Sequence, residues 1–137
     1  MQYQFFYEDY VEGKRIPSDK PVETDLGGFI HSMQCVLHSE GNFIGLVDGR
    51  GDTLQFIVNS GDESITLDIP KPEDGGSYAM DGPLNYFVKI MQQINDEPFD
   101  QQIKGLEFRS WSEPKPKQPT GVLHGDPMYI KPWWKFW

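Results

Sequence analysis

The sequence predicts an α+β protein: an antiparallel sheet with a central three-strand meander packed against two helices, in the order β-α-β-β-β-α-β. Two patterns carry this prediction. Residues 64–69 alternate cleanly, with Ile65, Leu67 and Ile69 on one side and Ser64, Thr66 and Asp68 on the other. That is the period of a strand with one buried face and one polar face. Residues 26–37 repeat instead at helical spacing, with Leu26, Phe29, Ile30, Met33, Val36 and Leu37 on one stripe.

The elements follow in order. Tyr3, Phe5, Phe6, Tyr7 and Tyr10 favour a first strand over residues 2–10. Glu12-Gly-Lys-Arg reads as a turn, and Pro17 to Pro21 as a loop. Thr24 or Asp25 can cap the first helix, which runs to about residue 38. Gly27 and Gly28 weaken its first turn, and Gly41 suits the position after its end. The meander comes next, as Asn42–Val47, Thr53–Val58 and Ser64–Ile69. Its connections are Asp48-Gly-Arg-Gly-Asp and Asn59-Ser-Gly-Asp, both rich in turn formers. Pro70 is expected to end the third strand, because proline cannot donate to a ladder. Residues 70–82 read as a Pro- and Gly-rich loop. Pro83 opens a second helix with Leu84, Phe87, Val88, Met91 and Ile94 as its apolar stripe. Leu106 and Phe108 suggest a closing strand.

These elements form one domain over residues 1–112. Residues 113–137 are a Pro-rich linker and a Trp-rich C-terminal segment, with three of the four tryptophans in the last five positions. Burying one aromatic side chain is worth about 1.5–3 kcal/mol, so this segment is expected to pack back onto the domain. The alternative is that Trp133, Trp134 and Trp137 anchor a partner, since tryptophan dominates interface hot spots.

The chain carries 21 acidic and 12 basic residues, a net charge of −9. The excess is uneven: residues 1–103 hold a net −12 and residues 104–137 a net +3. A body of one sign steers a cationic partner into contact and repels nucleic-acid phosphates. No run approaches the roughly 20 apolar residues of a membrane helix, and the first residues lack the pattern of a signal peptide. A cytoplasmic protein with no membrane partner is expected. Cys35, the one cysteine, cannot form an internal disulfide.

Chemistry-bearing patterns are sparse. His31, Cys35 and His38 could share a helix face, but their spacing matches no standard zinc motif. Arg50-Gly51-Asp52 reads as turn chemistry. Neither glycine turn has the lysine of a phosphate loop. His124 and Asp126 have no credible nucleophile beside them. No cofactor, metal or catalytic residue is expected, and the chain reads as a binding protein. The candidate contacts are Asp48, Asp52, Asp62 and Glu63 at the hairpin turns, with Glu73, Asp74 and Tyr78 in the 70–82 loop, because loops on a rigid scaffold carry recognition.

The order strand, helix, three-strand meander, helix, strand contains the block Asn42-Phe-Ile-Gly-Leu-Val-Asp-Gly-Arg-Gly-Asp-Thr-Leu-Gln-Phe-Ile-Val-Asn, followed by Ile65-Thr-Leu-Asp-Ile. With the acidity and the Leu54-Gln55 strand opening, this resembles the small immunity proteins of bacterial toxin systems, closest in layout to the Imm1-like family. The resemblance spans about residues 2–95, and the Trp-rich C-terminus has no counterpart in it. It implies an inhibitor that occludes the basic active-site cleft of a cognate toxin, one acting on nucleic acids or nucleotides. Two other readings stand beside it: a non-catalytic interaction module or secretion adaptor, and a small-ligand or enzyme domain.

Overall fold

A computed structural model describes residues 2–111. It is an α+β protein built on an open antiparallel sheet of eight strands with three helices. The strands are β1 (Tyr3–Asp9), β2 (Lys14–Ile16), β3 (Val22–Thr24), β4 (Phe43–Val47), β5 (Thr53–Val58), β6 (Ile65–Lys71), β7 (Gly76–Gly82) and β8 (Glu107–Ser110). Between β3 and β4 lies α1 (Leu26–Val36); α2 (Leu84–Met91) and α3 (Phe99–Gln102) separate β7 from β8. The path across the sheet is β2-β1-β4-β5-β6-β7-β8. β3 shares the outer edge of β1 with β2: Tyr3–Phe5 pair with β3, and Tyr7–Asp9 pair with β2.

The meander and both expected helices are present, and the sheet is larger than the sequence pattern predicts. Four segments differ. Residues 14–16, partly read as a turn, and residues 22–24, given no element beyond a possible cap at Thr24, are short edge strands. Residues 99–102 form a third helix. The 70–82 segment is not a loop: β6 runs through Pro70 to Lys71, a 3-10 turn covers Pro72–Asp74, and β7 follows at once. Proline fits within β6 because the β5–β6 ladder stops at Gln55 opposite Asp68, so one side of Pro70 has no ladder to break. Gly75, at φ 70°, closes the turn in the left-handed region that favours glycine.

All three helices pack on one face of the sheet. Phe29 and Met33 of α1, Phe87 and Met91 of α2 and Phe99 of α3 join Ile44, Leu46, Leu54, Phe56, Leu67 and Ile69 in one core. The ring of Phe56 sits 6.4 Å from Phe29 and 5.3 Å from Phe87, measured between centroids. One side chain on β5 therefore bridges the two long helices. Asp25 begins α1: its carboxylate accepts the Gly28 N–H at 2.7 Å. This satisfies one of the donors a helix start leaves unpaired.

The opposite, helix-free face departs from the expected polar pattern. Asp68 does point away from the helices, yet it is buried, as are Phe6, Gly45, Gln55, Ser77 and Ala79. The register sets Phe6 opposite Gly45, Gly45 opposite Gln55, Gln55 opposite Asp68, and Asp68 opposite Ala79 in a single row across five strands. The tip of the Phe6 ring lies over Gly45: a Cβ there would fall 2.0 Å from its Cζ. No side chain but hydrogen fits in that place.

Candidate binding surface

Consecutive hairpin turns of an antiparallel sheet lie at opposite ends of the strand they share. The acidic turns are sorted by this rule into two groups. The β4–β5 turn, residues 48–52, and the β6–β7 turn, residues 72–75, lie at one end, which we call the upper end. The β5–β6 turn, residues 59–64, lies at the other, beside the β1–β2 turn and the C-terminus of α1.

At the upper end, Gly51, Asp52, Pro72 and Glu73 line one shallow groove of about 230 Å³ between the two turns. Glu73 and Asp74 are exposed and Asp52 is half-buried. Both bases in these turns are already engaged. Lys71 pairs with Asp100 at 3.6 Å. Arg50 binds Asp48 at 3.2 Å and reaches the backbone carbonyl of Asp96. This end therefore presents three carboxylates, Asp52, Glu73 and Asp74, on two neighbouring tips of the sheet, with the bases of those turns paired elsewhere.

Asp48 does not belong to that display. Its side chain is only 1% exposed, and its Oδ1 accepts the backbone N–H groups of Arg50 and Asp52, both at 2.9 Å. It builds the turn that presents Asp52. Tyr78 lies on β7 rather than in a loop, and its ring packs edge-on against Phe108 at 5.4 Å. Asp62 and Glu63 are exposed at the lower end, on the far side of β5 from Asp52. The N–H and hydroxyl of Ser64 bind the Asp62 carboxylate and hold its pKa below the ordinary value. Glu63 is held at φ 61°, in the left-handed region. Trp133, Trp134 and Trp137 lie outside the described residues, as do His124 and Asp126.

The lower end has its own polar network, which the sequence pattern does not show. Asn42 is fully buried between β1 and α1. Its amide donates to Asp9 Oδ1 at 3.0 Å and to the Val36 carbonyl at 2.9 Å, while its Oδ1 accepts the Tyr10 N–H at 2.9 Å. Asp9 also accepts the N–H groups of Val11 and Glu12, and its Oδ2 lies 3.1 Å from His38 Nε2. Ser39 Oγ is 2.9 Å from His38 Nδ1. Thus His38 is engaged by Asp9 and Ser39, and it lines one depression with Asp9, His31 and Cys35. Cys35 Sγ lies 3.7 Å from His31 Nε2, one helical turn away on α1. Among the described residues no cluster of three or more side chains is placed to hold a metal ion.

Burial works against the charge on Asp9, but the hydrogen bonds from Glu12, His38 and Asn42 outweigh it and hold its pKa below the ordinary value. The sign of the pH effect follows. A depressed pKa in the folded state contributes stability above the unfolded-state value, and that stability is lost as pH falls through the folded value. Asp9→Asn is expected to cost about 1–2 kcal/mol at neutral pH. The gap to the parent should close once both are titrated below the folded pKa of Asp9. Urea denaturation at a series of pH values measures it; a gap independent of pH would refute the assignment.

Asp68 behaves oppositely. Burial raises its pKa above the ordinary value, with hydrogen bonds from Ser77 and Gln55 opposing.

The fold and site define a sheet protein with helices on one face and acidic hairpin tips at both ends, two of them side by side at the upper end. Among the described residues no helix is long and apolar enough to cross a membrane. No protein-family model, curated protein or solved structure matches the chain.

Proposed function

We propose that this protein is a non-catalytic inhibitor of the immunity type, which binds a cognate toxin and covers its basic active-site cleft. The observation that supports this reading best is the upper end. Asp52, Glu73 and Asp74 stand on neighbouring hairpin tips, while the two bases in those turns are consumed by internal pairs. A cleft that binds phosphates carries Arg and Lys, and carboxylates held on a rigid edge can occupy the same sites through charge-assisted hydrogen bonds. The acidic body of the domain adds long-range attraction.

The test is binding to a basic toxin domain encoded beside this chain, with a dissociation constant in the nanomolar range or below. Reversing Asp52, Glu73 and Asp74 to lysine should slow association about tenfold or more at low salt. The difference should shrink as salt screens the charges. Reversing Asp62 and Glu63 at the far end should change association much less. Unchanged association after the upper reversal would remove the proposed surface. The Ser39–His38–Asp9 chain supplies the competing outcome: ester hydrolysis by the purified protein, abolished in His38→Gln, would overturn the inhibitor reading.

A further inference from the structure

The helix-free face of the sheet has the character of an occupied surface. An antiparallel sheet with one solvated face is polar on that side. Here the register places Phe6, Phe43, Gly45, Val47, Ile57 and Ala79 there together. All three helices lie on the opposite side, within the other core. Even so, Phe6 is 2% exposed, Ala79 1% and Gln55 0%. Gln55 donates through Nε2 to Asp68 at 3.1 Å, while its Oε1 has no hydrogen-bond partner among the described residues. A buried, unpaired amide oxygen costs about 1–3 kcal/mol, so a site with this oxygen at its centre calls for an N–H donor. The rim is charged but internally paired: on the same face Glu8 meets Arg15 at 3.5 Å, and Arg109 meets Asp81 at 3.5 Å and Glu107 at 3.2 Å.

We propose that the occupant of this face is the chain's own residues 128–137, Met-Tyr-Ile-Lys-Pro-Trp-Trp-Lys-Phe-Trp. The chemistry of the segment matches the face. It brings aromatic rings to Phe6 and Phe43, and N–H donors for Gln55 Oε1. The chain also arrives at the right place. Trp111, whose N–H binds the Gly75 carbonyl at 2.9 Å, continues β8 at the edge of the sheet. From β8 to β1 the sheet spans five inter-strand steps, ~24 Å. Residues 112–132 can extend ~70 Å, so the tryptophans reach any strand. Docking does not depend on the inhibitor reading, because it involves the helix-free face rather than the upper turns, and no partner.

Nuclear Overhauser effects in the labelled full-length protein test this directly. Indole protons of at least one of Trp133, Trp134 and Trp137 should show contacts to the Phe6 and Phe43 rings within one chain. Indoles without contacts to residues 2–111 would overturn the proposal. Contacts found only between differently labelled chains in a mixed sample would overturn it in favour of a second copy. In the W133A/W134A/W137A variant, the amide resonances of Gly45, Gln55 and Ala79 should shift while the inner-face methyls of Ile44 and Leu67 stay in place. Resonances of Gly45, Gln55 and Ala79 that do not move would also overturn it. Should that variant fail to fold, the contacts in the parent protein decide.

Discussion

Phe56→Ala is expected to cost about 3–5 kcal/mol, the range for removing a buried phenylalanine from a packed core. The side chain has no solvent exposure, and its ring is in contact range of both Phe29 and Phe87. Its ring neighbours Phe29 and Phe87 cannot close the cavity easily, because they belong to separate helices, α1 and α2. For a domain of this size the loss corresponds to a fall in Tm of roughly 10–20 °C. Phe56→Leu should recover much of it, since a branched aliphatic refills part of the volume. Thermal and urea denaturation of the three proteins measures the series. A loss under about 1 kcal/mol for the alanine variant would show that this ring does not join the helices to the sheet.

Asn42→Ala is expected to cost about 2–4 kcal/mol by a different route, through unpaired polar groups rather than lost volume. The substitution strips the Tyr10 N–H of its acceptor, the Val36 carbonyl of a donor, and Asp9 of one of the groups that stabilise its charge. Three elements lose their common tie: the end of β1, the end of α1 and the start of β4. Asn42→Asp keeps the acceptor for Tyr10 but sets a second carboxylate against Asp9. Its deficit should be larger at neutral pH than in acid, where one of the two carboxyls is protonated. Amide exchange at Tyr10 provides a local reading, which should accelerate in both variants. An Asn42→Ala protein as stable as the parent would remove the network from any structural role.

Much of this architecture can be read directly from residue patterns, and the exceptions have physical causes. The meander was legible because its strands alternate between turns rich in glycine and aspartate. The two long helices were legible because their stripes are apolar at the right period. β7 was hidden because Gly75, Gly76, Pro70 and Pro72 all signal a loop. In the fold, Gly76 sits in a strand because β8 presses on it, with the Arg109 carbonyl 2.4 Å from where a Cβ would be. Local composition carries no trace of that contact. β2 and β3 were missed because three residues are too few to show a period. The alternation of residues 64–69 assigned Asp68 to the correct face but could not tell that the face is buried. Its polar side chain was read as evidence of solvent, whereas it takes part in a buried pair with Gln55.

The candidate site was legible only as a set of charged turns. That Asp52 and Asp62 lie at opposite ends follows from hairpin parity alone, and turn positions suffice to derive it. The burial of Asp48 does not follow so simply, because an aspartate that opens a turn can face either outward or back into its own loop. The Asn42–Asp9–His38 network joins residues 29 and 33 positions apart, and one chain read in order cannot pair them.

The sharing of one strand edge by β2 and β3 has a consequence for behaviour in concentrated solution. A long exposed border of free N–H and carbonyl groups is a template on which further chains add as cross-β fibres. On this side the border is taken up by two short ribbons running along β1. On the other side β8 offers only four residues, and parallel in-register addition of a second copy would set Glu107 against Glu107 and Arg109 against Arg109. Among the described residues neither border of the sheet is thus a long, flat template, despite the β-rich sequence at its centre.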